Sequence, residues 1–114
     1  MDGLDEALFG TAGIGHADAM ETSMIAHVAG DLLREAALEA AEAGGPDDWG
    51  EEVHGAAVGF DTADFSDSGA VGDPTDGDAE KGRKLYAQAT DELDRLVSWL
   101  AAQPFEDLLP EPHG

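Results

Sequence analysis

The stretch GHADAMETSM, residues 15–24, decides how this chain is organised. It opens with small residues that permit a sharp turn and runs into an apolar, periodic segment. Apolar side chains recur there at every fourth position: Met20, Met24, Val28, Leu32 and Ala36. That spacing places them on one face of a helix. The pattern predicts an amphipathic helix from about residue 19 to residue 43, entered through a turn.

The residues after this helix predict a connector and a strand. The sequence Gly44-Gly45-Pro46 ends the helix, because glycine accepts a left-handed cap and proline cannot continue the hydrogen-bond ladder. A polar connector then covers residues 47–52. The short apolar run at residues 56–60 favours a buried strand. Residues 61–77 are rich in turn formers and predict an irregular, ordered loop.

A second long helix is predicted to begin at Asp78, whose side chain can cap it, with Glu80 in the first turn. Its apolar face consists of Leu85, Ala89, Leu93, Leu96, Val97 and Leu100. This face is expected to pack against another part of the protein. Pro104 ends the helix, and residues 105–114 are expected to form a peripheral tail of a single domain, residues 1–114.

The chain is strongly acidic, with 26 Asp and Glu against 5 Lys and Arg and a formal net charge of -21. The acids are spread along its whole length, and 42% of the residues are hydrophobic, which is typical of a folded chain. Salt screens such repulsion, so we expect a protein adapted to high ionic strength. A disordered solvating segment and a mimic of nucleic acid are the alternative interpretations of this acidity.

Composition also excludes several classes of partner. Lys81, Arg83 and Lys84 form too small a basic cluster for nucleic-acid binding. No cysteine is present, so any metal must be held by carboxylates and the four histidines. A secretory signal would begin with basic residues, whereas residues 1–9 contain acidic ones. No apolar run reaches membrane-spanning length. We therefore predict a cytoplasmic protein that does not contact membranes.

His16 and Glu21 are the candidate catalytic pair. On one continuous helix they would lie about 140° apart, so they converge only if His16 precedes the helix. Glu21 would then occupy the first turn, where the helix dipole favours its ionised form. An ionised glutamate there can bind a divalent cation or accept a proton. The alternative interpretation is a helix N-terminal charge beside a turn residue.

Other polar residues favour structural roles. Thr22 and Ser23 lack a base at a spacing that would activate them. We expect His27 to be a helix residue, and His54 and His113 to lie in a connector and in the tail. Asp73 and Pro74 are expected to fix the entry to the last helix, with an approach to a neighbouring subunit's site as the alternative. Trp49 and Trp99 are expected to pack, and Trp49 could also cover a pocket.

Two stretches resemble the creatininase (creatinine amidohydrolase) family, in the family's order. The first stretch consists of His16-Ala17-Asp18, two further residues and then Glu21-Thr22-Ser23. It resembles the family's signature, a histidine-alanine-glycine followed by a glutamate-threonine-serine. The sequence SGAVGDPT at residues 68–75, followed by AEKGR at residues 79–83, resembles its glycine-aspartate-proline loop and final helix. Asp18 departs from the family's more usual glycine. The resemblance covers nearly the whole chain and identifies it with the C-terminal half of the family's domain.

The resemblance implies a partial three-layer α/β fold in which helices pack on a mainly parallel sheet. It implies part of a metal-dependent amidohydrolase that acts on a cyclic or formyl amide of a small nitrogen heterocycle, creatinine-like or a formylamino-pyrimidine. Glu21 would be a metal ligand, and His16 would protonate the leaving nitrogen. The divalent metal would be zinc or manganese, with iron as a further candidate.

The family's N-terminal half supplies a glutamate, a histidine, an aspartate and an Asn-Gly-His segment, and nothing before Gly10 resembles them. The resemblance therefore implies a homo-oligomer or an N-terminal partner chain that completes the metal site. Two alternatives stay open. One is a non-catalytic remnant or assembly subunit of the same fold, and the other is an acidic binding module with coincidental motifs.

Overall fold

The computed structural model describes residues 3–10, 15–58 and 61–110. This part of the chain contains five α-helices: α1 Leu4–Phe9, α2 Ala19–Ala29, α3 Leu38–Ala43, α4 Thr62–Phe65 and α5 Ala79–Ala102. It also contains the strands β1 Glu51–Val53 and β2 Ala56–Val58. Single turns of 3-10 helix lie at Gly30–Leu32, Glu35–Ala37, Pro74–Asp76 and Phe105–Leu108. The described residues are thus mostly helical.

The contact between α2 and α5 forms the centre of the fold. Gly82 of α5 lies so close to α2 that a Cβ atom there would be 1.9 Å from the Ser23 carbonyl oxygen. The Ser23 hydroxyl donates to the Ala19 carbonyl oxygen at 2.6 Å and accepts from the Asp78 amide at 3.0 Å. Ser23 and Leu85 are almost completely buried at this crossing. The small size of Gly82 and Ser23 therefore allows the backbones of the two helices to touch.

The loop at residues 66–75 fills the remaining core beside this crossing. Ala70, Val71 and Pro74 are buried, and the Ser66 hydroxyl donates to the Ala70 carbonyl oxygen at 2.6 Å. The Gly72 amide donates to the Pro46 carbonyl oxygen at 2.8 Å. These contacts fix the loop between α3 and the start of α2.

The predicted start and end of the last helix are confirmed. The Asp78 carboxylate caps α5 by accepting from the amides of Glu80 and Lys81 at 2.8 and 2.9 Å. Hydrogen bonds from the Arg83 guanidinium at 2.7 and 2.8 Å lower the pKa of the Glu80 carboxyl. The helix ends at Ala102, just before Pro104.

The prediction of one helix across residues 19–43 is wrong. Helix α2 ends at Ala29, two 3-10 turns follow, and α3 begins only at Leu38. Gly30 weakens a helix interior. Val28 and Leu32 are 52% and 71% exposed, so the stripe gains little packing energy there. Without that energy the chain departs from helical geometry. The predicted end of the helical region is confirmed, because α3 ends just before Gly44. Gly44 has a φ of -93°, however, and does not form the predicted left-handed cap.

The prediction of a buried strand in a mainly parallel sheet is also wrong for the described residues. β2 ends at Val58, and it pairs antiparallel with β1 in an exposed hairpin. His54 and Gly55 form its turn with φ of 52° and 79°, a backbone twist that suits a two-residue hairpin. Residues 59 and 60 lie outside the described ranges. A strand directly after such a turn pairs with its neighbour, which the apolar run alone did not indicate.

The predicted packing of the apolar face of α5 holds only for its first half. Leu85 is buried, whereas Leu93, Leu96 and Val97 are 59%, 52% and 54% exposed. Trp99, expected to pack, is 56% exposed. The radius of gyration is 18.4 Å, compared with about 13 Å for a compact domain of 100 residues. The core is accordingly small.

Among the described residues, no helix combines the length and apolarity needed to cross a membrane.

Substitution of Gly82 by alanine tests the close crossing of α2 and α5. We expect Gly82→Ala to lower the free energy of unfolding by about 1–3 kcal/mol, because the new methyl group would overlap the Ser23 carbonyl. Gly30→Ala is the matched control, since Gly30 has helical φ and no atom within 4 Å of its Cβ position. It should change stability by less than about 1 kcal/mol. Urea unfolding in high salt measures both, and equal effects would refute the close contact.

The dense negative charge predicts stability that rises with salt. Raising KCl from about 0.15 M to about 1 M shortens the Debye length from about 8 Å to about 3 Å, so the melting temperature should increase. The double variant Asp47→Asn, Asp48→Asn removes two exposed neighbouring charges. It should raise the melting temperature more at low salt than at high salt. An equal shift at both salt concentrations would exclude charge repulsion as the cause.

Candidate active site

His16 is held in an extended segment before α2. Its amide donates to the Val71 carbonyl oxygen at 2.9 Å, and its carbonyl oxygen accepts from the Val71 amide at 2.8 Å. This antiparallel bridge joins the two motifs of the sequence, residues 15–24 and residues 68–75. Val71 is fully buried, while the His16 side chain is 57% exposed. The backbone of His16 is therefore fixed and its imidazole faces solvent.

Asp18 turns the chain from this bridge into α2. Its Oδ1 accepts from the amides of Met20 and Glu21 at 2.9 and 3.3 Å, and its Oδ2 accepts from the Gly15 amide at 3.0 Å. The preceding residue, Ala17, has φ of 49°. One buried carboxylate thus caps the helix and closes the turn that carries His16.

The turn brings Glu21 back towards His16. Glu21 Oε2 accepts a hydrogen bond from the Ala17 amide and lies 3.8 Å from His16 Nδ1. That separation is too long for a hydrogen bond and short enough for an ion pair when the imidazole is protonated. Both side chains are more than half exposed. The two residues are therefore neighbours on the surface, with His16 before the helix and Glu21 in its first turn.

Asp18 stands where the family more usually has glycine, and the local backbone explains why an aspartate fits there. Asp18 adopts an extended conformation with φ -87°, so it does not need the freedom of glycine. The left-handed residue is Ala17 instead. The capping role of Asp18 was not predicted, although Asp18-x-x-Glu21 is the spacing of a capping box. In this chain the glutamate side chain returns to the amide of Ala17 rather than to that of the capping residue.

Aromatic rings flank the imidazole. The ring centroids of His16 and Trp49 are 6.2 Å apart, and those of Trp49 and Phe65 are 6.3 Å apart. Trp49 is 48% exposed, so it borders the site and still contacts solvent. It lies just before the hairpin, which places the β1–β2 segment near the candidate pair.

Two clefts border this turn. The first has a volume of about 660 Å³ and a mainly apolar wall formed by Met20, Met24, Ile25 and Leu33, and Asp18 and Glu21 also line it. The second has a volume of about 710 Å³ and is lined by seven acids: Asp5, Glu6, Asp18, Asp47, Asp48, Asp73 and Asp76. Glu21 belongs to the apolar cleft. A ligand there would meet the carboxylates of Asp18 and Glu21 and a largely apolar surface.

The other polar residues singled out from the sequence lie in packing, turn or capping positions. Ser23 and Thr22 are buried at the α2–α5 crossing, and His27 stacks edge-on against Tyr86 with centroids 5.4 Å apart. His54 forms the hairpin turn. The Asp73 side chain accepts from the Thr75 amide at 2.8 Å and thereby caps the turn at Pro74–Asp76. His113 lies outside the described residues.

The described residues do not form a complete metal site. Within residues 3–10, 15–58 and 61–110, no group of three or more His, Asp and Glu side chains is arranged to hold an ion. Glu21 and His16 offer two donors at most, whereas protein zinc sites use three or four protein ligands. A divalent ion bound at Glu21 would need ligands from elsewhere.

Removal of the Asp18 cap should loosen the turn that pairs His16 with Glu21. We expect Asp18→Ala to lower the free energy of unfolding by about 0.5–2 kcal/mol. Asp18→Asn should lose less, because the amide oxygen can still accept from the Met20 amide. Asp94→Ala, an exposed position on α5, is the control and should change stability by less than about 0.5 kcal/mol. A loss no larger than that of the control would contradict the capping role.

Comparison with known proteins gives a match to one family model. The family model described as "Creatininase: Creatinine amidohydrolase" matches residues 4–97. No curated protein and no solved structure matches the chain significantly. The family implies an α/β fold and amidohydrolase activity, and its members are typically metal-dependent. The matched span includes His16, Glu21, the buried loop and most of α5, and the chain belongs to the creatininase family.

Proposed function

We propose that this chain forms part of an amidohydrolase that hydrolyses an amide within or beside a small nitrogen heterocycle. The observation that carries the proposal is the convergence of His16 and Glu21, 3.8 Å apart, beside an apolar cleft. Both residues lie within the family-matched span. An imidazole and a carboxylate are both groups that can transfer protons in amide hydrolysis near neutral pH.

His16 is the proposed proton donor to the leaving nitrogen. Its backbone amide and carbonyl are both hydrogen-bonded to Val71, so the backbone that carries the imidazole is fixed against the buried loop. Its side chain is 57% exposed and can reach a substrate that approaches from solvent. General acid–base assistance of this kind typically contributes about 10²–10⁴-fold to a rate.

Glu21 is proposed to bind the divalent ion. Its Oε2 is already fixed by the Ala17 amide, so its carboxylate direction is set before any ligand arrives. Zinc, manganese or iron would supply Lewis-acid activation of water in such a hydrolase. The remaining ligands would have to come from another copy or another polypeptide, because the described residues hold no complete ligand set.

The apolar cleft favours a small, flat substrate. Its volume of about 660 Å³ falls in the range of about 300–1,000 Å³ that is usual for small-molecule sites. Met20 and Met24 are flexible and polarisable, and such side chains adapt to the faces of rings. A creatinine-like cyclic amide and a formylamino-pyrimidine both combine a flat ring with a hydrolysable C–N bond.

The proposed whole enzyme has a layered α/β fold. Residues 1–114 would form its C-terminal half, and helices would pack on a mainly parallel sheet supplied largely by a partner. The small core and the radius of gyration of 18.4 Å support this proposal, because they leave much apolar surface for a partner to cover. The acidic coat supports a cytoplasm of high ionic strength as the setting.

A non-catalytic assembly subunit is the second candidate. It is favoured by the lack of a three-ligand cluster among the described residues and by the exposure of both members of the pair. Such a subunit would keep the α2–α5 packing and the buried loop. It would bind its partner without contributing a proton donor.

Two substitutions test the catalytic proposal. With the completed enzyme, His16→Ala and Glu21→Gln should each lower kcat/KM for a cyclic amide by about 10²-fold or more. His27→Ala is the matched control, since His27 stacks on Tyr86 away from the cleft. Activity is measured by release of the ring-opened acid. Full activity in both site variants would support the assembly-subunit alternative.

Metal content tests the missing ligands separately from activity. The chain purified alone from high salt should bind less than one equivalent of zinc or manganese after dialysis, as measured by plasma mass spectrometry. Two donors do not make a tight site. Metal should become stoichiometric when the partner polypeptide is added, and Glu21→Gln should reduce it. One tightly bound equivalent in the chain alone would refute the incomplete site.

A further inference from the structure

Two side chains from different segments of the chain adjoin the His16 imidazole. Glu21 Oε2 lies 3.8 Å from Nδ1, and the Trp49 ring centroid lies 6.2 Å from the imidazole centroid at an interplanar angle of 46°. The first separation is too long for a hydrogen bond, so the carboxylate does not by itself fix the imidazole. The indole is therefore the packing surface that can limit rotation of this side chain, which is 57% exposed.

The Trp49 ring is packed in turn against Phe65. Their ring centroids are 6.3 Å apart and their planes cross at 68°, an edge-to-face arrangement. Both ring pairs fall within the centroid separations of about 4.5–7 Å that favour aromatic contacts. Trp49 is 48% exposed, so part of the indole packs while the rest meets solvent. An indole with a ring contact on each side of the sequence is restrained more than an isolated surface tryptophan.

The segments that carry His16 and Trp49 are held by adjacent residues of the buried loop. His16 exchanges two backbone hydrogen bonds with Val71. The next residue, Gly72, donates its amide to the Pro46 carbonyl oxygen at 2.8 Å, and Pro46 lies three positions before Trp49. The loop therefore fixes the extended segment of His16 and the connector of Trp49 side by side.

Phe65 is tied to the same loop. It directly precedes Ser66, whose hydroxyl donates to the Ala70 carbonyl oxygen at 2.6 Å and accepts from the Gly69 amide at 3.0 Å. Ser66 and Ala70 are both buried. Three rings that are far apart in the sequence thus converge because one buried loop, at residues 66–72, fixes the backbone near each of them.

We propose that Trp49 is a positioning residue for His16, an inference that rests on the proposed function of His16 as the proton donor. The indole holds the imidazole in one rotamer, with Nδ1 towards Glu21 and Nε2 left for the leaving nitrogen of the substrate. A packed ring excludes the staggered side-chain rotamers that would overlap it. A proton donor that is oriented before the substrate arrives lowers the cost of reaching the transition state.

Nuclear magnetic resonance on the full chain in high salt tests the positioning directly. The Hα–Hβ couplings of His16 should indicate a single rotamer, and magnetisation should transfer between its imidazole protons and the indole protons of Trp49. In Trp49→Ala the couplings should average over several rotamers. The imidazole proton shifts should also change, because the neighbouring ring current is lost. Trp49→Phe should restore most of the wild-type couplings, since it keeps a ring at this position.

Trp99→Ala is the matched control. Trp99 is 56% exposed in the second half of α5, so its removal should leave the His16 couplings unchanged. Phe65→Leu removes the ring that packs on Trp49 and should loosen the imidazole less than Trp49→Ala does. Unchanged amide signals of Val71 verify that the loop and its bridge to His16 persist in each variant.

The balance between kcat and KM in the completed enzyme separates positioning from substrate binding. Trp49→Ala should lower kcat for a cyclic amide by about 10–10²-fold, because a misplaced proton donor weakens stabilisation of the transition state. KM should stay nearly the same, since the bound substrate does not depend on that donor. Trp49→Phe should retain most of the activity.

Two kinds of result would overturn the proposal. Averaged His16 couplings in the wild-type chain, or couplings that do not change in Trp49→Ala, would show that the indole does not hold the imidazole. A higher KM at constant kcat would show that Trp49 contacts the substrate instead. The resonance measurements do not depend on catalysis, so failure of the positioning is distinct from failure of the proposed function.

Discussion

The crossing of α2 and α5 is the constraint on which the rest of this structure depends. Gly82 and Ser23 let the two backbones touch, and the Ser23 hydroxyl ties the Asp78 amide at the start of α5 to the Ala19 carbonyl at the start of α2. Both helices therefore begin at the same end of the packing. Because a larger residue at position 82 would overlap the α2 backbone, the geometry of everything attached to α2 follows from this contact.

The candidate site inherits its geometry from that contact through a short chain of hydrogen bonds. Asp18 caps α2 and holds the Gly15 amide, the bridge to Val71 fixes His16, and the first turn of α2 presents Glu21. Apart from the bridge to Val71, which lies 55 positions along the chain from His16, each link is local, so the pair forms from one turn and one buried loop. The metal site of a complete hydrolase is not local in this sense. Its ligands would have to converge from several segments, and the described residues supply two donors at one edge.

Surface composition divides the molecule into regions of different chemistry. Seven acids line one cleft, apolar side chains line the cleft at Glu21, and ten residues at the end of α5 and just beyond it carry no charge. In high salt the acidic regions are screened, while apolar contacts keep their strength or gain it. High ionic strength therefore favours burial of the uncharged surfaces of this chain.

Sequence alone determined the features that local chemistry controls. The family motifs, the entry of His16 before a helix, the Asp78 cap, the end of α5 at Pro104 and the acidic coat all follow from residues close together in the chain. Tertiary structure decided what depends on distant partners. The helix predicted across residues 19–43 breaks after Ala29 because its later stripe has little to pack against, and residues 56–58 pair in a hairpin rather than in a parallel sheet. Periodicity shows which face of a segment is apolar, but only the presence or absence of a packing partner decides whether that face stabilises the segment.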